Sequence, residues 1–190
     1  MQSGTNLKGA NVIKRRGQAV NLNDKLAGIV GAKHMLKDIK GGRYGSDWTR
    51  KFEFAPLVVV RPANAKEVSE VLKLANAENV PVVPMSGNTG LAGGTYADQA
   101  IVLLLERMNK ILEIRTEASI AIVEAGVILS DLHSAVGIYD LIFPMTFGAR
   151  SSAMIGGMLS TNAGGSNVLK YGNTRDLCLG LEVVLPTGEI

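Results

Sequence analysis

Two glycine-dense stretches constrain this chain more than anything else in it. The first is Ser86-Gly87-Asn88-Thr89-Gly90-Leu91-Ala92-Gly93-Gly94, and the second is Ile155-Gly156-Gly157-Met158-Leu159-Ser160-Thr161-Asn162-Ala163-Gly164-Gly165. Both mix glycine with Ser, Thr and Asn, and neither holds a Lys or Arg. Glycine loses more backbone entropy on folding than any other residue, so ordering two such stretches needs a compensating gain. Bare backbone N–H groups that approach an anion closely supply one. Two cradles in one chain point to a ligand with two linked phosphates and a large apolar remainder, which a dinucleotide fits. Helix packing accounts for part of the glycine as well, because Gly156-Gly157 before Met158-Leu159 lets a short helix pass close to a strand.

Neither stretch matches the better-known phosphate loops. A Walker loop ends in Gly-Lys-Ser/Thr, which this chain lacks. A Rossmann turn needs G-x-G-x-x-G at the start of a helix and an acidic residue about 20 positions further on. Gly87, Gly90 and Gly93 are instead spaced G-x-x-G-x-x-G, and Thr95-Tyr96-Ala97-Asp98 leads toward a strand.

Composition removes other classes. With 190 residues, 46% of them hydrophobic, the chain can bury a core. A net charge of +3, basic residues scattered apart from Lys14-Arg15-Arg16, and few aromatics argue against a nucleic-acid partner. The single cysteine, Cys178, excludes an intramolecular disulfide and any multi-cysteine metal site, and its apolar surroundings predict a buried structural thiol. No apolar run is long enough to span a bilayer, and the N-terminus lacks a secretory apolar stretch. A cytoplasmic location is expected. A mitochondrial one is the alternative, because Lys8, Lys14, Arg15 and Arg16 precede the first acidic residue, Asp24.

Residues 1–51 read as a polar N-terminal segment with a short apolar patch, Leu26 to Val30, and a loop in which Tyr44 and Trp48 serve as anchoring aromatics. Leu57 to Val60 predicts a buried strand. Asn64 predicts a helix cap with Glu67 closing a capping box, and Val68, Val71, Leu72 and Ala75 share one face of the helix that follows. Val80 to Val83 predicts a strand stopped by Pro84, which completes a parallel β-α-β unit. Strands are expected at Ile101 to Leu105, Ile111 to Ile114 and Ile120 to Glu124, with a helix over Leu129 to Val136 capped near Ser130. Leu179 to Leu185 predicts a last strand before a hairpin turn at Pro186-Thr187-Gly188. The fold class is therefore α+β. A parallel β-α-β half over 52–115 precedes a more antiparallel half over 116–190, and the stop just past a hairpin turn suggests a chain truncated at its C-terminus.

The glycine stretches also carry a resemblance. Val83 through Gly94 resembles the pyrophosphate loop of FAD-linked oxidases of the vanillyl-alcohol oxidase and p-cresol methylhydroxylase type. The likeness continues through Phe143 to Gly157, Ser160 to Gly165, Leu169 to Arg175 and Leu179 to Leu185, and Arg43-Tyr44 through Asp47-Trp48 resembles the family's opening segment. The most similar branch is the D-2-hydroxy-acid dehydrogenases acting on D-lactate, glycolate or D-2-hydroxyglutarate.

The resemblance implies a FAD-binding domain of two α/β subdomains. It implies a flavoprotein that moves a hydride from a small 2-hydroxy acid to FAD and passes electrons to a quinone, cytochrome or electron-transfer flavoprotein. Carried over by motif, Pro84, Ser86, Gly87, Asn88, Thr89, Gly90, Leu91, Gly148, Ser152, Gly156, Gly157, Asn162, Gly164 and Gly165 are expected to contact FAD, with neutral donors facing the pyrophosphate. Ser86 stands where many relatives have glycine. Relatives that tether the flavin through this loop use a histidine near the position of Thr89, so the FAD here is expected to be non-covalent. In the family the substrate pocket and its catalytic groups lie in a C-terminal domain, so no catalytic or metal residue is assigned and the chain alone is expected to be inactive. His133 and His34 read as ordinary surface residues. The alternatives are another enzyme on the same FAD fold, such as a cell-wall-precursor reductase, a sugar-lactone oxidase or an alkyl-ether-lipid synthase, and a truncated, non-catalytic binding protein.

Overall fold

The computed structural model describes residues 22–37, 39 and 42–190. The basic cluster Lys14-Arg15-Arg16 and Gly41 fall outside the described residues. Leu22, Leu26 and Val30 recur every four positions and form the buried face of a helix over 22–30 (α1), where the sequence suggests only an apolar patch. Gly31, at φ +82°, ends α1 in a conformation that side-chain-bearing residues rarely adopt.

A four-stranded sheet follows from β1 (Met35–Leu36), β2 (Val58–Val60), β3 (Val82–Met85) and β4 (Ile101–Leu104), ordered β1-β2-β4-β3. β4 lies between β2 and β3 and is parallel to both, while β1 runs antiparallel along β2. Every residue of β2 and β4 is buried, as continuous apolar runs in a two-sided parallel sheet require. Val58, Val60, Ile101 and Leu103 face α1 and α2 (Ala65–Ala77), where Val68, Val71 and Ala75 meet them. Val59, Val102 and Leu104 face the other way, onto Phe54, Met85, Ala97 and Ala100.

The cap of α2 is close to expectation. Asn64 Oδ1 accepts from the Glu67 amide at 2.9 Å, but Glu67 Oε2 accepts from the Ala63 amide and not from that of Asn64, so the box closes one residue upstream. β3 starts later than expected and runs on through Pro84. The proline is tolerated because β3 is an edge strand, where a missing N–H costs no ladder bond.

The second half begins with an antiparallel hairpin, β5 (Ile111–Arg115) and β6 (Ile120–Val123), turning through Thr116 to Ser119. The expected division between 115 and 116 falls at the end of β5, where this turn begins. Inward-facing Ile111, Ile114, Ala121 and Val123 pack onto a second core with α3 (Leu129–Gly137) and α4 (Ile155–Thr161). The α3 N-cap is Ile128, without a side-chain bond, and not Ser130. A short α5 (Val168–Tyr171) and a 3-10 turn over Thr174–Leu177 close the unit.

The strand expected over Leu179 to Leu185 does not form. The segment has no regular structure and no ladder partner among the described residues, and Leu179 is 80% exposed. Only Val184 packs inward, onto the first core, and Ser69 of α2 donates its hydroxyl to the Gly188 carbonyl. The turn at Pro186-Thr187-Gly188 does form, with the Gly188 amide donating to the Leu185 carbonyl at 2.8 Å. Cys178 is half-buried in this segment rather than buried, with Sγ directed at the Gly180 carbonyl.

Candidate functional site

Open α/β sheets present ligand sites beyond the carboxyl ends of their parallel strands. β3 ends at Met85, and the first glycine stretch starts there. Gly87 sits directly against the backbone carbonyl of Ser152, and any Cβ at this position would collide with it. Gly157, in the first turn of α4, faces the Ser86 side chain, with 3.1 Å between an added Cβ and Ser86 Cβ. Gly156 rests on Ala125 and donates its amide to the Ala125 carbonyl at 2.8 Å. The structure thus joins Ser86, Gly87, Ser152, Gly156 and Gly157 at the seam between the two halves.

A cavity of about 890 Å³ opens on this seam. That lies within the roughly 300–1,000 Å³ typical of small-molecule sites. Its lining joins Gly87, Asn88, Ser151, Ser152, Ile128 and Met154 to a second segment that supplies Gly42, Arg43, Ser46, Asp47, Trp48, Arg50 and Glu53. A second cavity of about 560 Å³ shares Arg43, Ile128 and Met154 and adds Glu106, Arg107, Asn109, Gly126 and Asp131. Gly90 and Gly148 have open space where a Cβ would sit, and Leu91 is exposed. Thr89 is half-buried, and Pro84 points to the surface from the edge strand.

The remaining expected contacts sit at the other end of α4. Asn162 ends this helix in the left-handed region, φ +50°, and its Oδ1 accepts from the Arg175 amide at 3.1 Å. Arg175 in turn donates Nε to Leu159 O at 2.9 Å and a terminal nitrogen to Ser160 O at 2.8 Å, so a cation closes the helix C-terminus. Gly165 is pressed against the Thr146 carbonyl, and an added Cβ on Gly164 would lie 3.1 Å from Asn173 Oδ1. None of these three lines either cavity.

The wall over 42–53 brings in residues that glycine spacing does not reveal, namely Ser46, Arg50 and Glu53. Its organising group is Asp47, 2% exposed, which accepts from the Thr49 hydroxyl and from the amides of Thr49, Lys51 and Phe52. The Thr49 hydroxyl is the main cause holding the Asp47 carboxyl below the ordinary aspartate range. Desolvation opposes it and the amides reinforce it. Trp48 is 65% exposed and lines the cavity, so it is not the anchor expected; Phe54 is buried in the core and Tyr44 packs against it. Arg43 stacks over the Tyr44 ring at 5.4 Å and lies 3.7 Å from Glu106. Two arginines therefore join the neutral donors expected at the site.

Both histidines lie away from the cavities. His133 on α3 donates Nε2–H to the Met145 carbonyl at 2.9 Å. Desolvation, then the charges of Arg107, Lys33 and Arg61, holds His34 below the ordinary histidine value, against Glu67. Among the described residues no cluster of His, Cys, Asp and Glu could hold a metal ion, and no helix is long and apolar enough to cross a membrane.

Comparison with known proteins gives the family and the fold. The family model described as a FAD binding domain matches residues 56–190. A D-2-hydroxyglutarate dehydrogenase of Xanthomonas citri pv. viticola is 45% identical over 148 residues, covering 77% of this chain and 31% of that protein. A D-lactate dehydrogenase of Archaeoglobus fulgidus is 46% identical over 134 residues, covering 70% of this chain and 30% of that protein. The solved structure of p-cresol methylhydroxylase with substrate bound superposes with a TM-score of 0.69 at 21% identity, over 92% of this chain and 35% of that one, which shows a shared fold. The chain spans about a third of the length of the curated relatives it matches.

Proposed function

This chain belongs to the FAD-binding-domain family of flavoproteins, and on that premise we propose that the seam cavity holds FAD for the oxidation of a small D-2-hydroxy acid. The observation that carries the reading is the contact of Gly87 with the Ser152 backbone. It leaves bare main chain from both halves on one cavity wall, beside the hydroxyls of Ser151 and Ser152. Donors of this kind suit a pyrophosphate, because oriented N–H groups bind anions without a fixed charge. Arg43 and Arg50 offer guanidinium donors for phosphate oxygens, although Asp47 and Glu53 in the same lining balance their charge.

When bound, FAD supplies the hydride acceptor for the hydroxyl-bearing carbon. The part of this chain is to bind and orient it. Gly87, Asn88, Ser151 and Ser152 line the cavity, Ser86, Gly156 and Gly157 pack behind that lining, and Thr89, Gly90, Leu91, Pro84 and Gly148 would meet the cofactor from outside it. Asn162, Gly164 and Gly165 act at one remove, by fixing the far end of α4. Thr89 carries no group that forms a flavin linkage, so attachment is non-covalent. The dehydrogenase relatives support a 2-hydroxy acid as substrate, and electrons then leave to a quinone, cytochrome or electron-transfer flavoprotein.

Trp48, the only tryptophan, reports on the cavity it lines. Titrating FAD into the 190-residue chain should quench its emission saturably, and acid precipitation should release the flavin intact. Emission that falls only in proportion to the light FAD absorbs would reject the cavity as a flavin site.

A further inference from the structure

Asn88 lies in the cavity wall, yet its side chain is committed elsewhere. Its Nδ2 donates to the Arg43 carbonyl at 3.0 Å and to the Ser46 carbonyl at 2.9 Å. Its Oδ1 accepts from the Thr95 hydroxyl at 2.7 Å. The residue is 9% exposed, so these bonds form out of solvent and use both hydrogens of the amide. Asn88 also has φ +52°, which Asn adopts more readily than most residues. The carboxamide therefore ties three things together: its own glycine loop, the return of that loop at Thr95, and the 43–46 segment that lines the same cavity.

Resting on the flavin reading, we infer that Asn88 is a positioning residue, a clamp that sets the width of the cavity by holding the 43–46 wall to the glycine loop. It does not read the phosphates with its side chain. The two carbonyls it grips flank Tyr44 and Gly45, and the second belongs to Ser46, which bridges antiparallel to Glu53. The same wall is closed by the Asp47 amide donating to Phe52 O at 3.2 Å and the Phe54 amide donating to Gly45 O at 2.9 Å. Releasing the carboxamide frees a wall whose remaining ties are mostly internal to it, and the Arg43–Glu106 contact at 3.7 Å is too long to replace two hydrogen bonds.

Two variant sets test the clamp. Asn88→Gly keeps a residue at ease at positive φ and deletes the carboxamide. Thr95→Val deletes only the hydroxyl that braces Asn88 Oδ1, at a residue outside both cavity linings, and Thr95→Ser restores that hydroxyl. Native-state amide exchange at Asp47 and Phe54 should speed up at least tenfold in Asn88→Gly. Exchange should speed up several-fold in Thr95→Val and stay at the wild-type rate in Thr95→Ser. FAD affinity, read from Trp48 quenching, should fall by about tenfold, by several-fold and not at all in the same order.

Unchanged exchange at Asp47 and Phe54 in Asn88→Gly overturns the clamp. So does faster exchange with full FAD affinity, or an equal loss in Thr95→Val and Thr95→Ser. If Asn88→Gly does not fold, the Thr95 pair decides. If the wild-type chain takes up no FAD, the flavin reading falls, and the exchange rates still decide the clamp.

Discussion

The two glycine stretches look alike in sequence and do different things in the fold. In the first, Gly87 makes a close approach that opens onto the cavity, while Gly90 and Gly94 face open space. In the second, only the N-terminal pair, Gly156 and Gly157, reaches the seam; Gly164 and Gly165 are spent on contact with Asn173 and Thr146. A glycine marks a place where something comes close, and sequence does not say whether that thing is a ligand or the chain's own backbone. The difference lies in what surrounds each loop. The first leaves an edge strand and borders the cavity beside the 43–53 segment, whereas the end of the second is folded against the 144–146 and 173–176 segments.

The strongest way to break this contrast is a matched pair of alanine substitutions. Gly87→Ala and Gly165→Ala each drive a methyl group into a backbone carbonyl that cannot swing aside. Overpacking of this kind costs about 1–3 kcal/mol, so both should lower the melting temperature by similar amounts. Only Gly87→Ala should lose flavin among molecules that remain folded. Loss of FAD from folded Gly165→Ala would show that the second stretch touches the cofactor after all.

Gly90→Asp sharpens the first half of the contrast. Its Cβ meets nothing within 4 Å, so stability should stay within about 0.5 kcal/mol of wild type. A carboxylate on the glycine loop should nevertheless weaken FAD binding about tenfold through like-charge repulsion, and less so at high salt. A stable variant with full affinity would remove Gly90 from the binding surface.

Asn162 tests the second half. At φ +50° it occupies a region that costs other residues about 1–2 kcal/mol, so Asn162→Ala should lower stability by roughly that amount. Asn162→Gly relieves the strain while giving up the Oδ1 bond to the Arg175 amide, and should be nearly neutral in thermal melts. Both should keep FAD affinity if Asn162 works only as a helix cap.

The parts of the fold that were legible are those written in local pattern. β2 and β4 are short, continuous apolar runs, α2 carries an apolar face behind an Asn cap, and β5–β6 is two largely apolar runs joined by a polar turn. What was not legible depends on neighbours distant in sequence. Pro84 ends a strand only if that strand is central, and the edge position of β3 is a property of the whole sheet. Leu179 to Leu185 has strand composition, but a strand exists only with a partner, and none pairs with it among the described residues. The site divides the same way. Ser86, Gly87, Asn88 and Ser152 follow from motif, while Arg50 and Glu53 reach the cavity only because Asp47 folds the 47–52 loop back on itself.

That loop supplies the smallest effect, and it separates the two regions by pH. A carboxyl held below its ordinary value stabilises the fold fully above the unfolded value, 3.8 for an aspartate. The contribution is lost as pH falls through the lower folded value, where Asp47 takes up a proton and stops accepting from the Thr49 hydroxyl and the Thr49, Lys51 and Phe52 amides. The second stretch itself is tied by the Thr174 hydroxyl to Ala163 O, by Asn167 to Pro144 O, and by the always-charged Arg175 to Leu159 O and Ser160 O, none of which titrates in acid; the carboxylate of Asp176 holds only the neighbouring turn, through the Asn173 amide at 2.7 Å. Below pH 3.8 the cavity wall should therefore loosen first. Trp48 emission, which reports on the residue beside Asp47, should shift before far-UV circular dichroism changes. Asp47→Asn, with one acceptor oxygen in place of two, should show the shifted emission already at neutral pH and no further step in acid. If emission and circular dichroism move together in the wild type, the cavity wall is not the more acid-sensitive region, and the contrast between the two stretches does not extend to pH.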